Sequence, residues 1–265
     1  MDRKEQHGKG LKASIRDAEV IYGANPVKEI LKAGRREIKC IYLLENRRDL
    51  IKEIQNLSRN FRVKIIHADR ATLDRVCSTS LHQGIAAVVA PYTFSHVDSL
   101  ISNCKHKKNS LLLMLDEITD PMNFGSIIRS SLLFGVDGII VQEKHSCPVS
   151  AVVCRASAGA VEHTDIVRTV NLVNTVKKLK EDGFWIYGAE STASDSFSNI
   201  DFSEKAVIVM GSEGKGISRL LRENCDVLIK IPTTGIIDSL NVSVATGIIL
   251  FNCFMKVKST SSLSN

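Results

Sequence analysis

The chain lacks a hydrophobic run long enough to cross a bilayer. Its longest apolar stretches, such as residues 111–115 and 85–90, fall far short of the roughly 20 residues that a spanning helix needs. Residues 1–12 are charged and contain no apolar core of a signal peptide, so we expect no secretory signal. These absences argue against a membrane or exported protein and lead us to expect a cytoplasmic one.

Metal-binding sequence patterns are also missing. The seven cysteines include no C-x-x-C pair, and the seven histidines include no H-x-x-x-H or H-E-x-x-H pair. Zinc sites commonly depend on such spacings. We therefore predict no metal site, and we expect the cysteines to be reduced and mostly buried thiols.

Two glycine-rich nucleotide-binding motifs are incomplete. The segment GSEGKGIS (211–218) has Ile217 where a Walker A loop needs Lys, and Arg219 follows it where a dinucleotide fingerprint needs its third glycine. Glu143 ends an earlier strand pattern, as a ribose-binding acid would, but a solvated carboxylate is the simpler interpretation. These departures argue against dinucleotide binding and against a classical Rossmann methyltransferase.

What the chain does contain is enough apolar material for two modest domains and an uneven charge. Hydrophobic residues make up 44% of the 265 positions. Residues 1–109 carry 21 Lys and Arg against 12 Asp and Glu, a net +9, whereas the remainder carries 14 against 17, a net −3. A basic half is expected if that half meets a polyanion, although a solvated basic surface explains the charge alone equally well.

Residues 18–92 predict a small α/β domain. Helical patterns cover PVKEILKA, RDLIKEIQNLSRNF (48–61) and ATLDRV, and strand patterns cover CIYLLE (40–45), VKIIHA (63–68) and GIAAVVA (84–90). Asn25 before a proline predicts the start of the first helix, and Gly34 predicts its end. We interpret residues 1–17 as a disordered basic arm and residues 93–109 as a linker.

Residues 110–258 predict a parallel sheet covered by helices, followed by a tail at 259–265. Near-continuous apolar strands alternate with helical segments, which is typical of a sheet buried on both faces. The strand patterns are LLLMLDEI (111–118), GIIVQ (138–142), DIVRTV (165–170), FWIYGAE (184–190), AVIVM (206–210) and VLIKI (227–231). Ligands of such sheets bind beyond the carboxyl ends of the strands.

Three loops expected at that edge carry a family resemblance. DPMNFGSIIRSS, VMGSEGKGIS and IPTTGIIDSLNVSVATGI resemble, in order, the signature motifs of the SpoU (SPOUT) family of RNA ribose 2′-O-methyltransferases. VCRASAGAVEH (153–163) resembles the small-residue helix of that family, and we expect it to serve close packing. IYGANPV (21–27) and HQGIAAVV (82–89) resemble the bacterial large-subunit rRNA guanosine methyltransferase subfamily.

The resemblance implies the architecture and the reaction. The fold would be α/β, with a SPOUT-type parallel sheet containing a trefoil knot, preceded by a small ribosomal-protein-like RNA-binding domain. The protein would be a homodimer that uses S-adenosylmethionine to methylate a ribose, by the subfamily match a guanosine of 23S rRNA. Alternatives are a tRNA enzyme of the family, a resistance-type rRNA methyltransferase, and a non-catalytic ribosome assembly factor.

The resemblance also implies catalytic roles. Arg129 would activate the 2′-hydroxyl, but because guanidinium retains its proton, electrostatic stabilisation or a phosphate contact fits better than a base role; a structural pair with Asp116 or Glu117 is the alternative. Asn123 would orient Arg129 or the ribose, or merely cap a helix. The remaining catalytic positions are Glu213, Ser239 and Asn241, of which Ser239 also suits a turn and Asn241 also suits a helix cap.

Binding residues follow in the same way. The positions matched to the cofactor wall are Gly211, Gly216, Ile231, Pro232 and Leu240; without the resemblance, Ile231 and Leu240 would be ordinary core residues. Phosphate contacts are expected from Lys28, Lys32, Arg35 and Arg36, which would otherwise be solubilising charges. The sequence departs from the family at Met122, where His or Gln is frequent, and at Asp238, which adds a negative charge near the RNA.

Overall fold

The computed structural model describes residues 18–59, 61–236 and 239–262, with side chains as far as Lys256. The predicted basic arm, Asp238 and residues 263–265 of the predicted tail lie outside the described residues. The chain forms two compact units: one comprises the residues up to Thr93 together with Val149–His163, and the other comprises Phe94–Pro148 and the residues from Thr164 onward. A short stretch from the middle of the chain thus belongs to the N-terminal unit.

The N-terminal unit contains a four-stranded sheet of order β1-β4-β2-β3. Strand β4 is antiparallel to β1 and β2, and β2 is parallel to β3. The strands are β1 (Glu19–Tyr22), β2 (Ile38–Leu44), β3 (Lys64–Ala68) and β4 (Ile85–Val89). The helices are α1 (Ala24–Ala33), α2 (Arg48–Leu57) and α3 (Arg70–Cys77). The predicted alternation of three helices with the strands β2, β3 and β4 is confirmed, whereas β1 was not expected.

The first helix differs from prediction at its start. Gly34 ends α1 in a left-handed conformation, with its N–H bonded to the carbonyl of Ile30, as predicted. Asn25 was predicted to cap the helix, but it lies inside the first turn and Gly23 occupies the cap position. Gly23 has no side chain that could cap the helix. The side-chain oxygen of Gln83 instead accepts a hydrogen bond from the Ala24 N–H at 3.0 Å.

The small-residue segment packs within the N-terminal unit. Helix α6 (Ala151–Ala156) and a 3₁₀ turn (Ala160–His163) form its regular parts. A Cβ on Gly159 would lie 2.7 Å from the Cβ of Glu29, so glycine permits a backbone approach that alanine would block. This geometry agrees with the close packing expected of the SAGA segment.

The second unit contains a seven-stranded sheet in which every pairing is parallel. Its order is β7-β6-β5-β10-β8-β11-β9. The strands are β5 (Ser110–Leu115), β6 (Gly138–Gln142), β7 (Ile166–Thr169), β8 (Trp185–Ala189), β9 (Asp195–Ser196), β10 (Lys205–Met210) and β11 (Val227–Lys230). The predicted α/β fold with a parallel sheet is confirmed; only the short β9 was not expected.

Helices cover this sheet, and one of them lies where a linker was predicted. Helix α4 (Val97–Lys105) occupies most of residues 93–109 and buries Leu100, Ile101 and Cys104 in the core of the second unit. The others are α5 (Pro121–Leu133), α7 (Leu172–Glu181), α8 (Arg219–Glu223) and α9 (Val242–Ser262). Helix α9 therefore continues into the residues predicted as a tail.

The strand order changes direction beside β5. From β5 the chain adds β6 and β7 on one side, whereas β10, β8 and β11 lie on the other side. In open parallel sheets, ligands bind at the carboxyl edge where the order changes direction. The loops after β5 and β10 are neighbours there, so a ligand site is expected at this edge.

Candidate active site

Two caps hold the loops in place at the carboxyl edge of the parallel sheet. The Asp120 carboxylate accepts a hydrogen bond from the Asn123 N–H at 2.7 Å and caps α5, with Pro121 at the first helical position. Asn241 caps α9, because its Oδ1 accepts from the N–H groups of Ser243 (2.9 Å) and Val244 (3.3 Å). The predicted cap role is therefore confirmed for Asn241 and wrong for Asn123, whose side chain is left for other contacts.

The side chains of Asn123, Glu213 and Asn241 join the three motif loops. Asn241 Nδ2 donates to Glu213 Oε1 at 2.7 Å and to Asn123 Oδ1 at 2.9 Å, and Asn123 Nδ2 donates to Glu213 Oε1 at 3.0 Å. The Val242 N–H lies 3.3 Å from the same carboxylate oxygen. Because Asn241 Oδ1 is committed to the helix cap, its NH₂ must face Glu213, which fixes the orientation of the amide.

Arg129 lies apart from this network within a single chain. It follows Asn123 by six residues on α5, which is about 9 Å along the axis and roughly a third of a turn around it. Its side chain is exposed, and within the described part of the chain it pairs with no other group. Asp116 instead accepts from the Ser218 N–H at 2.8 Å, and Glu117 lies 3.7 Å from Lys215, so the alternative structural pairing of Arg129 is not observed.

The glycines of the loop after β10 permit a tight closure. Ser212 and Gly216 exchange two backbone hydrogen bonds of 3.1 and 3.0 Å, and a Cβ on Gly211 would lie 2.0 Å from the carbonyl carbon of Gly216. Gly216 has a φ of +67°. The loop therefore turns back on itself directly above the sheet.

Apolar side chains remain exposed in the loop after β11. Leu240 is 37% exposed, Pro232 is exposed and Ile231 is half-buried. Together these side chains form an apolar surface at the carboxyl edge, which a ligand could cover. Ser239 is also exposed, which leaves its hydroxyl accessible.

Two carboxylates at this edge were not predicted as site residues. Asp116, 2% exposed, directly follows β5 and has one buried oxygen, Oδ1, without a hydrogen-bond partner among the residues that the structure describes. Glu190 follows β8 and lies beside Gly216, with Oε2 3.4 Å from the position of an ideal Cβ there. Neither belongs to a motif; only their position directly after a parallel strand could have identified them.

The basic residues predicted to contact phosphates lie in α1 and just after it, and they divide into two groups. Lys28 pairs with Glu53 and Lys32 pairs with Glu29, each at 2.7 Å, and Arg35 is exposed. Arg36 does not reach the surface: it is 6% exposed. Its guanidinium contacts the carboxylates of Glu162 (3.2 Å) and Glu19 (2.5 Å) and the carbonyl of Ala90 (2.7 Å).

The prediction that Arg36 contacts phosphates is therefore corrected, because its donors are already used inside the N-terminal unit. In the described ranges, no group of three or more His, Cys, Asp or Glu residues has the geometry to hold a metal ion. The helices of the same ranges include none that combines the length and hydrophobicity needed to cross a bilayer.

Comparison with known protein families matches two segments of the chain. Residues 110–251 match the SpoU rRNA methylase family, and residues 20–95 match the RNA 2′-O ribose methyltransferase substrate-binding family. A tRNA/rRNA methyltransferase of Mycolicibacterium gilvum is 39% identical over 88% of this chain and 75% of its own. A TrmH-family tRNA/rRNA methyltransferase of Staphylococcus saprophyticus is 37% identical over 89% of this chain and 95% of its own.

Solved structures share the fold at lower identity. The SpoU methyltransferase AviRb of Streptomyces viridochromogenes has a TM-score of 0.78 at 23% identity, covering 94% of this chain and 93% of its own. An rRNA methyltransferase of Sinorhizobium meliloti, solved with S-adenosylmethionine bound, has a TM-score of 0.74 at 23% identity, covering 89% and 86%. With the matches over most of its length, the chain belongs to the SpoU family of rRNA methylases.

Proposed function

We propose that this protein transfers a methyl group from S-adenosylmethionine to the ribose 2′-hydroxyl of a guanosine in 23S rRNA. The observation that carries the proposal is the network of Asn123, Glu213 and Asn241, which links all three motif loops at the edge where the sheet order reverses. A binding module would not need three polar side chains from distant segments to meet there. This argues against the non-catalytic assembly factor.

The residues at the edge fit an adenosine-containing methyl donor. Leu240, Pro232 and Ile231 offer an apolar surface for a base, and the loop from Gly211 to Gly216 lets backbone approach a ligand without a Cβ. When bound, S-adenosylmethionine supplies an electrophilic methyl group on its sulfonium. The protein must then hold the attacking oxygen in line and lower the cost of removing its proton.

We assign the catalytic roles by chemistry. The Asn123 and Asn241 amides, fixed by Glu213, orient polar groups of the ribose. The Ser239 hydroxyl contacts the ribose or the neighbouring phosphate. Arg129 stabilises the developing negative charge on the 2′-oxygen or holds a phosphate, because its guanidinium keeps its proton.

We further propose a homodimer in which the second subunit supplies Arg129. Helices α5 and α9 pack together, with Phe134 against Phe251 at a ring distance of 5.7 Å, yet both helices expose apolar side chains. These are Leu132, Leu133, Val244, Ile248, Phe251 and Met255. Exposed apolar surface of this extent marks interaction sites, and an unpaired Arg129 on the same helix would reach a neighbouring site. We also propose that the parallel sheet of this chain contains the trefoil knot that the family resemblance implies.

RNA binding is assigned to the N-terminal unit. The match to a substrate-binding family over residues 20–95 and the net charge of +9 in residues 1–109 support this. Lys28, Lys32 and Arg35 remain the candidates for phosphate contacts. An rRNA substrate would be met in the cytoplasm.

The experiment combines the purified protein, methyl-labelled S-adenosylmethionine, and unmodified transcripts of 23S rRNA and tRNA. Nucleoside digestion then shows where the label lies. Label in 2′-O-methylguanosine from 23S rRNA supports the proposal, and label in another rRNA nucleoside changes the target base. Label in tRNA overturns the rRNA substrate, and absence of cofactor binding overturns the enzyme.

A further inference from the structure

We propose that Glu190 is an additional cofactor-binding residue, whose carboxylate accepts hydrogen bonds from the ribose hydroxyls of S-adenosylmethionine. The proposal rests on the proposed function, because it assumes that this molecule is the methyl donor. Glu190 belongs to none of the three sequence motifs. Its assignment comes from its position in the sheet and from the state of its carboxylate.

The sheet order places Glu190 between the two loops expected to hold the cofactor. Strand β8 lies between β10 and β11, so the residue after β8 lies between the loop at 211–218 and the loop that follows β11. The Glu190 N–H donates to the carbonyl of Ile229 at 2.9 Å, which extends the pairing with β11 to this residue. The Ala193 N–H then donates to the Glu190 carbonyl at 3.1 Å and turns the chain away. The backbone at Glu190 is thus held on both sides.

The Glu190 side chain is directed at the glycine loop. An ideal Cβ on Gly216 would lie 3.4 Å from Glu190 Oε2 and 3.7 Å from Oε1, so both oxygens face the backbone at Gly216. Since Gly216 has no side chain, no Cβ stands between its backbone and the carboxylate.

The carboxylate is half-buried and its hydrogen-bonding capacity is unused. Within residues 18–59, 61–236 and 239–256, no donor engages either oxygen. The neighbouring Lys215 lies 3.7 Å from Glu117 instead. A carboxylate whose oxygens accept no hydrogen bond within the protein is free to accept them from a ligand that brings donors. Glu213, by contrast, already accepts three hydrogen bonds at one oxygen.

The donors of the cofactor that suit this position are its ribose hydroxyls. Two carboxylate oxygens can accept from a vicinal diol, which is how acidic residues recognise ribose in other parallel α/β sheets. The apolar surface of Leu240 and Pro232 is the part of the edge suited to adenine, and ribose is joined directly to that base. The ammonium group of the methionine part is the competing donor, and the test separates the two.

The test measures the affinity of the full-length protein and its Glu190→Gln variant by calorimetry for three ligands. These are S-adenosylhomocysteine, 5′-methylthioadenosine, which lacks the amino-acid part, and the 2′,3′-dideoxy form of 5′-methylthioadenosine. We expect the variant to bind the first two about tenfold more weakly, since a charged hydrogen bond is replaced by a neutral one. We expect the dideoxy compound to bind both proteins equally.

Glu143→Gln is the matched control, because Glu143 is an exposed carboxylate after β6, on the far side of β5. Its affinities should equal those of the wild type, and both variants should unfold at the wild-type temperature without ligand. Equal binding of S-adenosylhomocysteine by wild type and Glu190→Gln would overturn the proposal. So would a loss with S-adenosylhomocysteine but not with methylthioadenosine, which would indicate an ammonium contact. If the wild type itself bound no adenosyl compound, the proposed function would fail instead.

Discussion

Asn241 performs two tasks with the two ends of one amide. Its oxygen caps α9 through the Ser243 and Val244 N–H groups, and its NH₂ donates to Asn123 and Glu213. A residue that only capped the helix could equally be Asp or Ser. The second task is therefore what requires an amide at this position.

Replacing Asn241 with Asp separates these tasks. The cap oxygen is kept, but a second carboxylate then faces Glu213 across a contact that is now 2.7 Å long. We expect a loss of methyl transfer of about a hundredfold, since positioning groups of this kind contribute a few kcal/mol. Thermal unfolding is measured for both variants: Asn241→Ala loses the cap at a cost of about 1 kcal/mol, whereas Asn241→Asp keeps the cap but adds like-charge repulsion with Glu213. Retention of activity in Asn241→Asp would show that the network of Asn123, Glu213 and Asn241 has no role in catalysis.

Two buried cysteines and the half-buried Cys225 lead to a prediction about pH. Burial raises the pKa of the Cys154, Cys225 and Cys253 thiols to about 12. At pH 8, roughly one such group in ten thousand is thiolate, so a thiol reagent should label these positions only slowly in the native protein. Unfolded thiols ionise from about pH 8.5, and therefore the free energy of unfolding should fall as the pH rises through that value. Rapid native labelling at pH 7, mapped by mass spectrometry, would contradict this.

At the scale of elements, the segment between α1 and β2 is joined to the 3₁₀ turn at Ala160–His163 by a buried charge pair. Arg36 and Glu162 have side chains 3% and 1% exposed, and burial raises the pKa of Glu162 while the charge of Arg36 opposes the rise. A buried pair of this kind contributes little over an apolar pair, but removing one member leaves a charge without compensation.

We therefore expect Arg36→Met to lower the free energy of unfolding by about 3–5 kcal/mol. The double variant Arg36→Met/Glu162→Gln should recover much of this loss, because the uncompensated carboxylate is then absent. Chemical denaturation measures both. Lys32→Met, which removes an exposed charge, serves as the control and should change stability by under about 1 kcal/mol. If Arg36→Met lowered the free energy of unfolding no more than Lys32→Met does, the pair of Arg36 and Glu162 would not stabilise the fold.

Elements were predicted from the sequence where apolar residues form an unbroken run or keep a clear period. The strands β5, β6, β8 and β10 are near-continuous apolar runs, and their parallel arrangement followed from that. Helix α4 was missed because it is short and ends in the basic run at 105–108, which resembles a linker.

Side-chain surroundings were beyond prediction from the sequence. Arg36 stands next to Arg35 in the chain, yet one is buried and the other exposed, because the partner of Arg36 comes from residue 162. Glu190 was missed for a similar reason: its place between two loops depends on the strand order β10-β8-β11, which no local pattern encodes. Motif residues, by contrast, were brought together as expected at Asn123, Glu213 and Asn241.

At the scale of the whole molecule, Arg129 is the feature that one chain does not explain. It is exposed, has no partner in the described residues, and lies on the helix that also exposes Leu132 and Leu133. The proposed homodimer gives it a task in the site of the other subunit. That proposal has a direct test.

Mixed dimers of Arg129→Ala and Asn241→Asp distinguish the two arrangements. Each variant alone should be nearly inactive, at about a hundredth of the wild-type rate or less, with RNA binding mostly retained. If Arg129 acts on the other subunit's site, a mixed dimer contains one site with both defects and one intact site, so activity should return to about half per mixed dimer. If Arg129 acts within its own chain, no intact site forms and the mixture stays inactive. The two variants are co-expressed with different affinity tags, and the mixed dimer is purified through both tags. Its rate of methyl transfer distinguishes the two arrangements.

The stretch Val149–His163 affects how this protein can be divided. It lies in the chain between β6 and β7 of the second unit, but it belongs to the N-terminal unit. Deleting the residues up to Thr93 would consequently remove Arg36 and Glu29. It would keep Glu162, which binds Arg36, and His163, which binds Glu29. The boundary between the two family matches is thus not a suitable place to separate the protein into two domains. In chimaeras of two relatives, the residues up to Thr93 and residues 149–163 should come from the same parent.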